Sequence, residues 1–343
     1  MPSPVKPCAL CLLNKPLLAS HFLPAAIYKN LIDPTGPIRN MIASNLSTAS
    51  EESKQVKQYL LCQDCEIRFQ QGGENWILGR RLMPSGGFEL RDLLRQATPV
   101  ETQGEASLFA LNTVPSFEKE QLLYFAASIF WRAAVADWET PVGHYTKLAV
   151  DPGVVEELRK YLLGSPPFPS DVCSIVVIFS AADAPKQLTT LPHATTGPTG
   201  CQQFDWYMPG IGFTFLIGNL PVGMQAISVS RSPHCVAIDP KLDQRITAAG
   251  VKHAQESTAT EKLQKKLTRQ DLIGTEASAA PTTTIDNDKR PWGQAAFELK
   301  RAVVKIRLGL LLNSWRTGAR TWIISFQMVP RRILFGSHFS GWR

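Results

Sequence analysis

The hydrophobic pattern changes texture along the chain, and each texture predicts a different kind of element. Over residues 117–138, Leu122, Phe125, Ala126, Ile129 and Ala133 recur at three- and four-residue steps, which marks one face of a helix. Ser116 is placed to cap it, with Glu118 and Glu120 set favourably against the helix dipole. The stretch SIFWRAAVADW is bulky enough to sit at the centre of a core, and its Arg132 reads as ion-paired or exposed. A second helix is punctuated at both ends, by Asp151 as N-cap, Pro152 at the first position and Gly164 as the stop. These two helices are expected to pack together, over or beside the N-terminal segment.

From Pro166 onward the period shortens. Residues 174–180, 211–218, 223–230 and 234–239 are short, rich in Val, Ile and Phe, and bounded by Gly, Pro and Asn, so they read as strands. The link GNLPVG over 218–223 suits a connection between two of them, which predicts a mostly antiparallel sheet. The span 181–203, rich in Thr, Pro and Gly, reads as a long loop with His193 exposed in it. His234 and Cys235 are adjacent at a strand start and would point to opposite faces, against shared metal ligation. Thr258-x-x-Glu261 predicts a short capped helix, and 274–290 reads as a low-complexity linker.

The N-terminal texture is set by cysteines rather than by periodicity. Four of the seven fall into two Cys-x-x-Cys pairs, Cys8–Cys11 and Cys62–Cys65, each able to clamp one edge of a tetrahedral ion. Without an apolar signal core in MPSPVKPCALCLLNK, a reducing cytoplasmic location is expected, where such pairs hold metal rather than disulfides. Cys173, Cys201 and Cys235 stand singly and read as small buried hydrophobes. Between the pairs, 17–32 is apolar enough for a hairpin and a short helix, while 33–58 is a polar surface excursion. Tyr59-Leu60-Leu61 gives a strand into the second pair, and EIRFQQGGENWI a helix expected to stop at Gly72-Gly73. The order of knuckle, hairpin and second pair at a helix start predicts a treble clef around a structural Zn²⁺.

Cys8-x-x-Cys11, then Ser20-His21-Phe22-Leu23-Pro24, then Leu61-Cys62-x-x-Cys65-Glu66 resembles the zinc-containing branch of the HNH endonucleases and related bacterial and phage proteins. The likeness covers about the first 80 residues. It implies that His21 is the general base activating water beside a divalent Mg²⁺ or Mn²⁺, with DNA or RNA as substrate. Cys8, Cys11, Cys62 and Cys65 would then be structural zinc ligands. The sequence departs from the family's pattern at three points. Ser20 stands where an acidic residue or a second histidine usually precedes the base. The orienting asparagine is missing from KQVKQYLL, leaving Asn40 and Asn45 far upstream. No histidine closes the final helix, so Glu66, Glu74 and Asn75 are the groups there able to take a cation. The alternative is a non-catalytic zinc module recognising nucleic acid or a protein partner.

Composition bounds the rest. At 343 residues with 44% hydrophobic side chains the chain can build a real core, and no apolar run approaches a membrane span. The net charge of +7 is unevenly placed: residues 289–343 hold eleven Lys and Arg against Glu298 alone, so the remainder is slightly acidic. The module 1–81 carries nine basic and six acidic groups, a thin base for gripping a phosphate backbone. The tail, with four of the eight tryptophans, reads either as a basic amphipathic segment for an anionic membrane surface or nucleic acid, or as the product of a shifted reading frame. An α+β protein is therefore expected, divided into a zinc module (1–81), a helical segment (82–165), a β-rich domain (166–253) able to select a target or partner, a short helix and linker (254–290) and a basic tail (291–343).

Overall fold

The computed structural model describes residues 3–246, apart from 31–40, 46–47, 53–54, 80–88, 141–142, 165–166, 182–187 and the single positions 199, 209, 232 and 243. The predicted helix at Thr258–Glu261, the linker and the tail lie outside the described residues. The fold is α+β, with a large, mostly antiparallel sheet behind an N-terminal cysteine cluster.

The chain begins with β1 (Val5–Pro7) and β2 (Asn14–His21), an antiparallel pair joined by a knuckle carrying Cys8 and Cys11. Leu12 closes the knuckle with φ of 64°, a left-handed conformation held by its N–H donating to the Cys8 carbonyl at 2.8 Å. Helix α1 (Ala25–Asn30) follows. The stretch read as a polar excursion then holds an antiparallel hairpin, β3 (Met41–Asn45) and β4 (Thr48–Glu52). Strand β5 (Lys57–Cys62) returns to pair with β2, with an irregularity between Leu18 and Ala19. Buried Ser20 bridges this step, accepting from the Leu61 N–H at 3.1 Å.

Helix α2 (Gln63–Phe69) does not stop at the two glycines. It runs through a π-helical turn, Gln70–Glu74, into α3 (Asn75–Gly79). The glycines are there for close approach. A Cβ on Gly73 would sit 2.5 Å from the Gln121 carbonyl oxygen and 2.9 Å from Phe125, and one on Gly72 would strike the Tyr124 ring at 2.4 Å. Those partners belong to the central helix α5, reached after α4 (Glu89–Gln96), β6 (Glu101–Gln103) and β7 (Ala106–Ala110).

Helix α5 (Lys119–Val135) starts later than its pattern suggests: Glu118 is the N-cap, and Ser116 adopts a positive φ instead of capping. It is buried on nearly every side from Leu122 to Ala134, the state of a helix enclosed by other elements. On one side Phe69 meets Trp131 edge-on at 5.9 Å; on the other, Phe130 stacks on Phe215 at 5.1 Å. After the hairpin β8 (Trp138–Thr140) and β9 (Gly143–Tyr145), α6 (Pro152–Leu162) has the expected cap, with the Asp151 carboxylate accepting from the Gly153 N–H at 2.8 Å. It packs on α5, where the Tyr124 hydroxyl donates to the Leu162 carbonyl at 2.7 Å.

The second half supplies β10 (Cys173–Ser180), β11 (Leu188–Thr190), β12 (His193–Thr195), β13 (Cys201–Met208), β14 (Ile211–Gly218), the short helix α7 (Val222–Ala226) and β15 (Cys235–Asp239). Seven strands form one sheet in the order β12-β13-β14-β10-β15-β7-β6. All its pairings are antiparallel except β10 with β15. β11 instead joins β3 in parallel, drawing the N-terminal excursion towards the second half. One sheet face packs on α5, where Trp206 stacks on Phe213 at 4.6 Å; the other carries a second apolar cluster with Met224.

Several strand assignments differ from expectation. Residues 223–230 are not a strand. Pro221 starts α7, and Ser228 and Ser230 then use their hydroxyls on the backbone of Ile175 at 2.8 and 3.1 Å, standing in for a ladder. Conversely, the span read as loop holds β11 and β12, with His193 half-buried rather than exposed, and the start of β13. The buried Asp205 of β13 is accommodated by hydrogen bonds from Thr195, Gln203 and Thr214 at 2.6–2.9 Å.

Gly73→Ala should destabilise the protein by about 1–3 kcal/mol, because its methyl group would meet a helix backbone that cannot yield locally. Denaturant unfolding of the two proteins side by side is the check, and equal midpoints would refute the close-approach role.

Candidate metal centre and candidate histidine

The chain's topology converts two remote sequence pairs into one cluster. The knuckle between β1 and β2 presents Cys8 and Cys11. Cys62 closes β5, and Cys65 lies in the first turn of α2. Their sulfurs all lie within 4.8 Å of one another, and the Cys11 and Cys62 Sγ atoms are 3.8 Å apart. Tetrahedral ligation at Zn–S of about 2.3 Å places sulfurs about 3.8 Å apart, so the donor set fits a zinc-sized ion. Cys8, Cys62 and Cys65 are buried; Cys11 is half-buried.

Proton affinities within the cluster follow from crowding. Cys8 is lowered to about 4, chiefly because the Cys65 thiol donates to it, with further help from backbone N–H groups. Cys65 is pushed strongly upward by the same contact and by burial, and burial raises Cys62. Crowding thus favours negative charge on Cys8 and protons on Cys62 and Cys65, and a cation would relieve the repulsion that opposes further ionisation. The knuckle is clamped from outside: Arg159 of α6 donates to the Leu10 carbonyl at 2.7 Å, and Lys15 pairs with Asp64 across the module at 2.7 Å.

His21 lies at the end of β2, opposite Lys57. Its Nε2 is 2.7 Å from the side-chain carbonyl oxygen of Gln55. A carbonyl oxygen only accepts, so Nε2 carries the proton and Nδ1 keeps a lone pair. Burial holds the imidazole below the ordinary histidine range, with the charges of Lys57 and Arg132 acting in the same direction; Gln55 and Glu66 oppose the shift. The Tyr28 ring flanks it at 6.4 Å. Gln55 lies within KQVKQYLL, which lacks the asparagine of the resemblance but offers the same amide group on two longer side chains, Gln55 and Gln58; the fold brings Gln55 to the imidazole.

The helix-borne acids have separate surroundings. Glu66 is half-buried in the first turn of α2, with Oε1 buried and making no hydrogen bond. Glu74 is buried in the π-helical turn, 2.7 Å from the Arg132 guanidinium, which also lies 4.6 Å from the centre of the Phe69 ring. Asn75 is exposed at the start of α3. Asn45 ends β3, and Asn40 lies outside the described residues. Of these groups Gln55 contacts His21, Glu66 and Arg132 act on it weakly through their charges, and Glu74 is paired with Arg132. Truncating either member of the buried Glu74–Arg132 pair alone would cost about 3–5 kcal/mol, since the other would remain charged and unpaired.

Among the described residues no helix is long and apolar enough to cross a membrane. Comparisons of the chain with family models, with curated proteins and with solved structures found no match.

Purified protein should contain one zinc per chain by elemental analysis. Cys62→Ser should lose that zinc and unfold at markedly lower temperature, because ligand loss here also opens the loop between the two pairs. Full stability of a zinc-free protein would refute a structural role for the ion.

Proposed function

We propose that this protein is a zinc-stabilised, HNH-like hydrolase of phosphodiester bonds in which His21 is the general base. The observation that carries the reading is the 2.7 Å hydrogen bond between His21 and Gln55. It fixes the tautomer, leaves Nδ1 free to take a proton from water, and supplies the orienting amide that the family places near the second cysteine pair. Burial keeps the imidazole neutral, the form a base requires. The four cysteines take no part in chemistry and hold β2, β5 and α2 together around the base.

A divalent Mg²⁺ or Mn²⁺ would supply charge stabilisation at the scissile phosphate. We assign its binding to Glu66, whose buried Oε1 makes no hydrogen bond. Glu74 is engaged with Arg132, and Asn75 is exposed on α3. Ser20 is spent on the β2–β5 irregularity rather than on a cation.

A second reading rests on a different observation. The buried Arg132 guanidinium is paired with Glu74 and acts on His21 as a further positive charge, which leaves a divalent cation only Glu66. This favours a non-catalytic module that recognises nucleic acid or a protein partner through the zinc-built surface.

Plasmid nicking with Mg²⁺ or Mn²⁺ separates the two readings. His21→Ala should lower the rate by about 10²–10⁴-fold, the scale of a lost general base. Gln55→Ala should lower it by about 10–100-fold, as expected when a residue that orients a functional histidine is removed. Absence of cleavage by zinc-loaded wild type, or equal cleavage by His21→Ala, leaves the second reading.

The pH profile carries its own sign. A neutral base is active above its pKa, and activity falls as pH drops through that value. Because the His21 pKa is depressed, the acid limb of kcat/KM should lie below the ordinary histidine value of about 6.5. An acid limb above that pH would contradict His21 as the base in this environment.

A further inference from the structure

Away from the cysteine cluster, a groove of about 580 Å³ opens between β9 with the segment following it and the β12–β13 edge of the seven-stranded sheet. Its volume falls within the range of small-molecule sites. We propose that this groove binds a phosphate ester of nucleotide size.

The argument starts from the side chains on its two walls. One wall offers His144, Thr146 and Lys147; the other offers His193 and Gln202, whose amide spends one N–H on the Ala149 carbonyl at 3.5 Å and keeps the second. No carboxylate lines the groove, and among the described residues none pairs with the exposed Lys147 ammonium. The nearest buried acid, Asp205, sits directly across the strand pair from His193, but hydrogen bonds from Thr195, Gln203 and Thr214 already engage both its oxygens.

Both imidazoles are anchored from behind. His193 Nδ1 lies 2.9 Å from the Leu191 carbonyl, and His144 Nδ1 lies 3.0 Å from a Glu139 carboxylate oxygen. Each Nδ1–H is spent there, so each Nε2 is left to a ligand as an acceptor in the neutral ring and as a donor in the protonated ring, the form that a bound oxyanion favours. The frame is stiffened by the Tyr145 hydroxyl, which donates to the Pro192 carbonyl at 2.6 Å and ties one wall to the other.

Donors on opposing walls suit a tetrahedral oxyanion, whose oxygens project in several directions, better than a planar carboxylate with two. A bare phosphate would leave most of the volume empty. Leu148, Pro192 and Phe204 offer apolar surface for the organic body of an ester.

Isothermal titration of the full-length, zinc-loaded protein tests this with inorganic phosphate, adenosine 5′-monophosphate, adenosine and a short single-stranded oligonucleotide. The monophosphate should bind saturably and adenosine should not. Lys147→Ala and His193→Gln should each raise the dissociation constant about tenfold or more, the worth of one charge-assisted contact. If the oligonucleotide binds more tightly and loses affinity equally in both variants, the phosphate comes from a strand rather than a free nucleotide, and the site stands. Three results would overturn it: no saturable binding of any phosphate compound, equal binding of adenosine and its monophosphate, or undiminished binding by variants with native circular dichroism. None of these readouts depends on the His21 chemistry, so loss of nuclease activity would leave the groove unaffected.

Discussion

The four-sulfur closure is the constraint on which the N-terminal architecture depends. It joins a knuckle at residues 8–11 to a helix start at 62–65, across a stretch with few apolar side chains of its own from 33 to 58. Closing such a loop by packing alone would need a core there that the sequence does not supply. A metal held by four thiolates can offset that entropy, because the cost rises only with the logarithm of loop length. Once closed, the module offers β2 and β5 as a rigid platform. His21 ends one strand, and Gln55 sits just before the other.

The second organising element is α5. A helix this apolar needs partners on all sides, and it finds the module on one and the sheet on the other. The Gly72–Gly73 contact brings the two backbones close enough for Arg132 to reach Glu74. A buried ion pair is a poor source of stability against an apolar substitute, but it fixes one arrangement. The guanidinium it fixes is also one of the charges that lower the proton affinity of His21, a small effect beside burial.

Features governed by local chemistry were legible in the sequence. The paired cysteines declared a metal cluster by spacing alone, and Asp151-Pro152 declared a helix start that the structure reproduces. Features governed by distant partners were not. Gly72 and Gly73 look like a helix stop unless α5 is known to press against them. Gln202, Gln203 and Asp205 hid β13, because polar residues are buried in a strand only when donors such as Thr214 wait on its neighbours. Ser228 and Ser230 lie in a stretch with strand-like alternation but serve β10 through their hydroxyls. For the candidate site, the motif singles out His21, whose role stands as a proposal. Gln55 was not legible, since only folding shows which of the nearby amides meets the imidazole.

The order of strands in the large sheet bears on how the chain assembles during synthesis. β7 emerges early, yet its inner neighbour is β15, the last strand described. Until residue 239 has left the ribosome, the hairpin β6–β7 must keep an unpaired edge in the company of the apolar α5. Nascent chains ending short of β15 would thus hold a completed cysteine module beside an open sheet edge, the stage at which the chain is most open to mispairing.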